Sequence, residues 1–420
     1  MCVDLFPICR SITGNGVRQT LSYIKDLLPD LQLHEVPSGT KAFDWTVPKE
    51  WNVKDAYIID PDGDKVVDFQ KNNLHLVGYS VPVRKTISLE ELQEHLYSLP
   101  EQSSAVPYVT SYYSPRWGFC ITHERRKNLK PGNYHVFIDS TLTDGSLTYG
   151  ELILPGLSDK EILLSTYICH PSMANNELSG PAVTTYLAKW LTGLDKRIFT
   201  YRIIFSPETI GSIVYLSKNL QKMKNNIIAG FNITCVGDND DYSYLPSRYG
   251  NTLADRIALH VLTHTHPDYK RYSFLDRGGD ERQYCSPGVD LPVVSVMRTK
   301  YGQYPEYHTS LDDLNFISPE GLLGGYYVLK KCLECLETNN TLINTVTCEP
   351  QLGQRGLYKT LSMKRDQKNS KDVLNLLAYC DGSNDLIAVA DIINRPLWEL
   401  MPLIEALMKN NLLKALRKNQ

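Results

Sequence analysis

The chain has no uninterrupted apolar run of about eighteen residues, the length that a membrane-spanning helix needs. Its first residues, Met1-Cys2-Val3-Asp4-Leu5-Phe6-Pro7, lack the basic segment and apolar stretch of a secretory signal. Together these absences lead us to expect a soluble, cytoplasmic protein that does not contact membranes. Net charge is scarce too: −3 over 420 residues gives no whole-chain attraction to nucleic acid or anionic surfaces, so partners must be read locally. No repeat or low-complexity tract stands out, and 42% apolar with 22% charged residues is an ordinary globular balance that excludes extensive disorder. Ten cysteines in a chain this long are too sparse for a disulfide scaffold, so reduced thiols are expected. Cys332-Leu333-Glu334-Cys335 is the only C-x-x-C and has no second pair to complete a zinc site. It falls in a helical stretch, 319–338, where core packing is its expected role.

A chain of 420 residues exceeds what one hydrophobic core usually serves, so two or three domains are expected. Apolar runs rich in Ile, Val and Thr at 162–169, 199–205, 227–236 and 291–297 read as strands. Periodic segments at 179–194, 209–224, 251–264 and 319–338 read as helices. This alternation predicts an α/β fold with a mostly parallel sheet and right-handed crossovers, and residues 11–28 read as a further helix on that sheet. Residues 45–150 differ: they are Pro- and Tyr-rich, with strand-like pieces at 73–79 and 134–138 and one helix at 89–99. Thr143-Asp144-Gly145-Ser146 reads as a hairpin turn joining 136–138 to 147–152. The expected organisation is an α/β domain of residues 1–44 and 151–345, an inserted mainly β domain at 45–150, and a lysine-rich helical domain at 355–420. In the last, helices at 372–379, 385–393 and 397–409, the turn Asn394-Arg395-Pro396 and a strand starting at Asn411-Leu412-Leu413 predict a winged helix-turn-helix.

Open parallel sheets bind ligands outside the carboxyl ends of their strands. His170 follows the first strand, Ser206-Pro207-Glu208 the second, Gly237-Asp238 the third and, past a loop, His308 the fourth; Glu177 stands at a helix entry. Two imidazoles and several carboxylates at one rim form the mixed nitrogen and oxygen set that zinc accepts. Any one of them alone is weak, because a single histidine near a strand end is more often a hydrogen-bonded structural residue; the coincidence carries the reading. A second set, His260, His264 and His266, shares the i, i+4 spacing of zincins, but Val261 stands where their general base would be. An ordinary helix surface is expected there.

Tyr307-His308-Thr309-Ser310-Leu311-Asp312-Asp313, Ser179-Gly180 after His170, and Pro207-Glu208-Thr209-Ile210-Gly211-Ser212 resemble the zinc-dependent aminopeptidases that include glutaminyl cyclases and glutamate carboxypeptidases. With Pro107-Tyr108-Val109-Thr110-Ser111-Tyr112-Tyr113 and Arg116-Trp117-Gly118-Phe119-Cys120 added, essentially the whole chain resembles a bacterial aminopeptidase-like family that has an inserted β domain and a C-terminal winged helix. The resemblance implies a three-layer zinc-aminopeptidase-like fold and a zinc cofactor, with His170 and His308 as the first and last metal histidines. It further implies hydrolysis of a small peptide or amino-acyl conjugate, with Glu208 as general base.

The departures from that pattern are as specific as the matches. Glu208 stands alone where the resembled enzymes have two adjacent glutamates. Asn176 occupies the place of the metal-bridging aspartate, and a neutral amide does not bridge two zinc ions, so one zinc rather than two is expected, with Glu177 and a displaced Asp238 as the carboxylate ligands. Asp280 resembles a pocket aspartate of the cyclases that anchors an amine or orients the scissile amide. Two alternatives stand beside hydrolysis: cyclase-like acyl transfer at the same metal, and an inactive regulator working through the winged helix. In the second the winged helix would bind DNA or protein, with contact to protein or to its own chain expected ahead of nucleic acid. Leu397 to Glu405 is apolar and acidic where a recognition helix enters the major groove, with no arginine to read guanine. Tyr301, Tyr304 and Tyr307 read equally as pocket wall or packing, and Tyr108, Tyr112, Tyr113, Trp117 and Phe119 chiefly as core. Oligomeric state is not legible in the sequence.

Overall fold

The computed structural model describes residues 1–357 and 364–416. Strands Ser158–Tyr167, Phe199–Ser206, Ile227–Asn232 and Val293–Met297 are the parallel heart of an eight-stranded mixed sheet. They lie where the β-branched runs predict them. Residues 161–167 of the first are buried without a break, as a strand covered on both faces requires. Antiparallel strands complete the sheet: Gln32–Pro37 and Ser146–Leu154 at one edge, and Ser243–Leu245 beside Val293–Met297 at the other, followed by Lys270–Arg271. Helix Asn15–Leu27 buries Val17, Thr20, Leu21 and Ile24, a single stripe at helical spacing. Gly150 accommodates that helix: a Cβ there would meet Leu21 Cδ2 at 2.9 Å.

The expected hairpin does not form. Asn133–Thr143 pairs with Glu50–Ile59 and Val83–Ser88 in a separate four-stranded sheet, whereas Ser146–Leu154 joins the eight-stranded one. The turn between them therefore carries the chain from sheet to sheet, fixed by Gly145 N–H donating to Ser38 Oγ (3.1 Å) and Ser146 N–H to Glu50 Oε2 (3.1 Å). Residues 73–79 are not a strand but begin with a 3-10 turn, Asn73–His75, capped by the Asn72 side chain. The helix expected at 89–99 stops at Glu94, because Leu96–Tyr97 pairs with Phe119–Cys120.

The chain divides into two compact units, Met1–Asp255 with Lys270–Tyr327, and Arg256–Tyr269 with Val328–Gln420. Residues 45–150 thus share a unit with the α/β sheet. Trp51 shows why: its N–H donates to Thr13 Oγ1 (3.1 Å) and its indole to the Ser80 carbonyl (2.9 Å), stitching the early helix region to the four-stranded sheet. In the second unit, Thr341–Asn344 lies between Asp381–Asp385 and Leu413–Ala415 in a three-stranded antiparallel sheet, beside helices Lys364–Tyr379, Leu386–Ile393 and Leu397–Lys409. The winged element therefore starts earlier than residue 355, with a strand that the sequence assigned to the α/β domain. Among the described residues no helix is long and apolar enough to cross a membrane.

Arg18 grips Glu50 with both terminal nitrogens, tying the early helix to the four-stranded sheet. Burial alone would raise the Glu50 carboxyl, but Arg18, Asn52 and the Ser146 N–H outweigh it and bring it down to about 2. An unfolded glutamate titrates at about 4.3, so this contribution is complete above about pH 5 and is lost as pH falls through the folded value. Glu50→Gln should therefore flatten the dependence of the urea midpoint on pH between about 5 and 2.

Candidate active site

The first parallel strand runs on through Ile168 and Cys169 to His170, and the chain then turns through a widened π-type helical turn, Ala174–Leu178, into helix Ser179–Thr192. Such turns often mark functional sites. Its opening N–H groups are taken up by one carboxylate: Asp312 accepts from Ala174 (3.2 Å), Asn175 (2.6 Å) and Asn176 (2.9 Å). Burial still raises the Asp312 carboxyl to about 7 against those bonds. Asp312 belongs to the His308 loop, so it fastens that loop to the turn carrying Glu177. The sequence shows this carboxylate but gives it no role; only the fold reveals what it holds. Gly180 is needed where the helix meets the sheet, since a Cβ there would lie 2.5 Å from Ile233 O and from Thr166 Oγ1.

His170 is buried, with Nδ1 2.8 Å from Glu177 Oε2 and Nε2 3.5 Å from Glu208 Oε2. The His308 ring lies 5.4 Å from it, centre to centre, and stacks on Tyr307 at 3.9 Å. Tyr108 sets its ring edgewise against both, at 5.3 and 5.2 Å. It gets there because residues 106–108 pair antiparallel with 308–310: Tyr108 N–H donates to His308 O and Ser310 N–H to Val106 O, each at 2.9 Å. Burial drives both imidazoles down to about 3, helped by Arg10 at His170 and by His170 at His308. Both are neutral electron-pair donors near neutral pH.

Glu208 sits on a strained turn. Thr209, β-branched, has φ +63° and ψ −77°, and Ile210 N–H donates to Glu208 C=O at 2.8 Å, the geometry of the rare positive-φ γ-turn. Asp280 holds it by accepting from Thr209 N–H (2.7 Å) and Ser212 Oγ (2.9 Å), and Arg282 donates to Thr209 Oγ1 (3.0 Å). Strain kept in place by neighbours in this way is characteristic of functional sites. Burial and then the Asp280 charge push the Glu208 carboxyl well up, with Arg282 opposing, and burial lifts Asp280 to about 6. A cleft of about 340 Å³ opens over this turn, lined by Ile12, Trp45, Tyr112, Glu208, Thr209 and Arg282 among others.

His170, Glu177, Glu208 and His308 thus gather at one rim, and Asp280 supports it from below. Two of the expected ligands have protein partners in the fold. Asp238 is consumed elsewhere: its oxygens accept from Asn175 Nδ2 (2.9 Å), Thr299 N–H (3.0 Å), Thr299 Oγ1 (2.6 Å) and Asp240 N–H (3.1 Å). Glu177 stands beside the His170 ring at hydrogen-bond distance from Nδ1, and Cys169, His170 and Glu177 have donor atoms within 4.8 Å of one another. Glu177 is thus placed to orient the His170 ring. Burial raises its carboxyl to about 8, opposed by Arg10.

The His260 set is not an ordinary helix surface either. His260 is buried, donates from Nδ1 to Asp391 (2.6 Å) and accepts the Leu397 N–H at Nε2 (3.0 Å), so both nitrogens are committed and the grouping with His264 and Asp391 has no free imidazole electron pair on His260. Tyr301 and Tyr304 are buried packing residues, as are Trp117 and Phe119, whereas Tyr108 and Tyr307 reach the histidines.

Two imidazoles on one zinc, with Zn–N of about 2.0–2.1 Å, put their ring centres about 5 Å apart. The 5.4 Å spacing of His170 and His308, their neutrality, and the absence of any protein partner at the His308 ring nitrogens among the described residues fit one such ion. At Asn176 an amide stands where a bridging carboxylate was expected from the resemblance: its Oδ1 meets Tyr167 Oη at 3.4 Å, and its Nδ2 has no partner.

Residues 1–339 match the family described as "Domain of unknown function (DUF4910)". The chain belongs to this family. Residues 340–415 of this DUF4910 protein match a winged helix-turn-helix model. A Clostridium acetobutylicum protein, provisionally named a polysaccharide biosynthesis protein with an aminopeptidase-like domain, is 48% identical over 389 residues, covering 92% of this chain and 89% of its own. A crystal structure of a provisionally assigned peptidase from Clostridium acetobutylicum superposes with a TM-score of 0.93 at 45% identity, covering 99% of this chain and 95% of that one. The zinc aminopeptidase BSAP from Bacillus subtilis superposes at TM-score 0.56 with 13% identity, over 80% of this chain and 93% of its own, a likeness of fold. The DUF4910 chain is therefore an aminopeptidase-like α/β protein with a C-terminal winged helix.

Proposed function

We propose that this protein is a zinc-dependent amide hydrolase of aminopeptidase type, acting on a small peptide or amino-acyl conjugate. The observation that carries the reading is the convergence of two neutral imidazoles, His170 and His308, beside the partly exposed carboxyl group of Glu208. His170 and His308 would hold one zinc ion, which would polarise an amide carbonyl and acidify a water at its open positions. Glu208 would be the group that takes a proton from the attacking water at its carboxylate and returns it to the leaving nitrogen. Thr209, Asp280 and Arg282 keep Glu208 aimed while this happens, and Tyr108 closes the face of both imidazoles against bulk water.

The cleft volume of about 340 Å³ suits a residue-sized group rather than a folded protein. Trp45 and Tyr113, two half-exposed rings 5.8 Å apart at its lip, offer flat apolar faces that suit a sugar or an aromatic side chain. With the relative's name, this favours an amino-acyl sugar among the candidate amides. The winged helix is proposed to contact protein, not nucleic acid, because the end of Leu397–Lys409 that would enter a groove is occupied: Leu397 N–H bonds His260, and Trp398 packs on His260 (5.8 Å) and His264 (6.3 Å).

The test is to purify the protein without chelators, measure zinc per chain, and assay a panel of aminoacyl p-nitroanilides and N-aminoacyl hexosamines. About one zinc per chain, lost in His308→Ala together with turnover, is the expected result. Release of product by cyclisation without water uptake would move the reading to acyl transfer, and a parent that neither holds nor takes up zinc would end it.

A further inference from the structure

Arg10 is 1% exposed and lies beside the candidate metal site, yet no step so far uses it. Its Nε donates to the His170 carbonyl at 2.9 Å and its Nη1 to the Leu5 carbonyl at 2.7 Å. The same Nε is 3.6 Å from Glu177 Oε1, in an ion pair whose two side chains are both fully buried. That pair is not saturated: Arg10 Nη2 and Glu177 Oε1 have no hydrogen-bond partner. A buried polar group left unsatisfied calls for a reason beyond stability.

Packing offers none, whereas the geometry around His170 does. Glu177 holds the ring of His170 through Nδ1 at 2.8 Å, and Arg10 holds the backbone of that residue through its carbonyl while standing as the counter-charge to Glu177. Glu177 thereby occupies Nδ1 and leaves Nε2, the nitrogen 3.5 Å from Glu208 Oε2, facing the cleft. We infer that Arg10 and Glu177 act as one positioning couple that fixes which nitrogen of His170 is offered to the metal. This rests on the zinc reading above and adds residues to it that touch neither metal nor substrate.

The test is zinc affinity, measured by competition with a chromophoric chelator on the full chain, for the parent, Arg10→Gln, Glu177→Gln and the double variant. Loss of an outer partner of a metal histidine typically weakens binding 10–100-fold, and each single variant is expected to fall in that range. Because Arg10 acts through Glu177, the double variant should bind no more weakly than Glu177→Gln alone, a non-additivity that a general structural role would not produce. Arg10→Lys, which keeps the charge, should recover part of the loss. Glu177→Gln keeps size and shape, so it remains informative if Arg10→Gln fails to fold. A parent that binds zinc while Glu177→Gln binds equally well, or single effects that simply add, would overturn the couple and leave the hydrolase reading standing. A parent without zinc affinity would overturn both.

Discussion

Glu208→Gln is expected to lower kcat by about 10²–10⁴-fold with KM little changed, the range that a positioned general base contributes. Glutamine keeps the size of the side chain and an oxygen for Arg282, which lies 3.5 Å from Glu208 Oε1, so the strained turn at Thr209 should persist. What glutamine cannot do is take up and return a proton. Measuring zinc content beside turnover makes the assignment decisive, because Glu208 Oε2 is also 3.5 Å from His170 Nε2. A variant that retains its zinc and loses turnover identifies a base. Loss of zinc along with turnover would instead make Glu208 a ligand and leave the proton transfer to another group.

Arg202→Met is the substitution expected to cost most in stability. Arg202 is 1% exposed and bonds Glu161 through two nitrogens, Nε to Oε2 at 2.5 Å and Nη2 to Oε1 at 3.0 Å, with Nη1 reaching Glu151 at 3.0 Å. Glu161 is 3% exposed, so removing the guanidinium leaves a carboxylate buried without its partner, at a cost of about 3–5 kcal/mol. The urea midpoint should fall accordingly with an unchanged slope. Replacing both partners, Arg202→Met with Glu161→Leu, should recover most of the loss, since buried pairs often exchange for apolar residues at little net cost. If the double variant is as unstable as the single one, the network through Glu151 and Tyr215, and not the Arg202–Glu161 pair, carries the stability.

Much of this architecture is legible in the residue order. Buried parallel strands are continuous apolar runs, so Ser158–Tyr167 and Val293–Met297 announce themselves, and the site follows from looking just past their ends. His170, Glu208 and His308 become candidates that way, and the fold brings them together. Residues 45–150 are harder, because short strands and Tyr-rich loops carry weak periodicity. The hairpin at Asp144 and Gly145 was expected from local turn chemistry, but Ser38 and Glu50 bind that turn and lead its two strands into different sheets. Asp238 stands at the correct strand end for a ligand, and nothing in the sequence reveals that Asn175 and Thr299 take up its oxygens.

The sequence by itself determined the fold class and the winged helix and singled out candidate site residues, because periodicity, turn composition and residue type are local properties of the chain. The tertiary structure alone decided their roles. Whether a carboxylate binds a metal, orients an imidazole, caps a turn or holds a strained loop depends on which atoms stand within about 3 Å of it. Asp312 caps a turn and Asp280 holds a strained loop through partners distant in sequence, and Glu177 meets His170 across a turn, at distances that only the folded backbone sets.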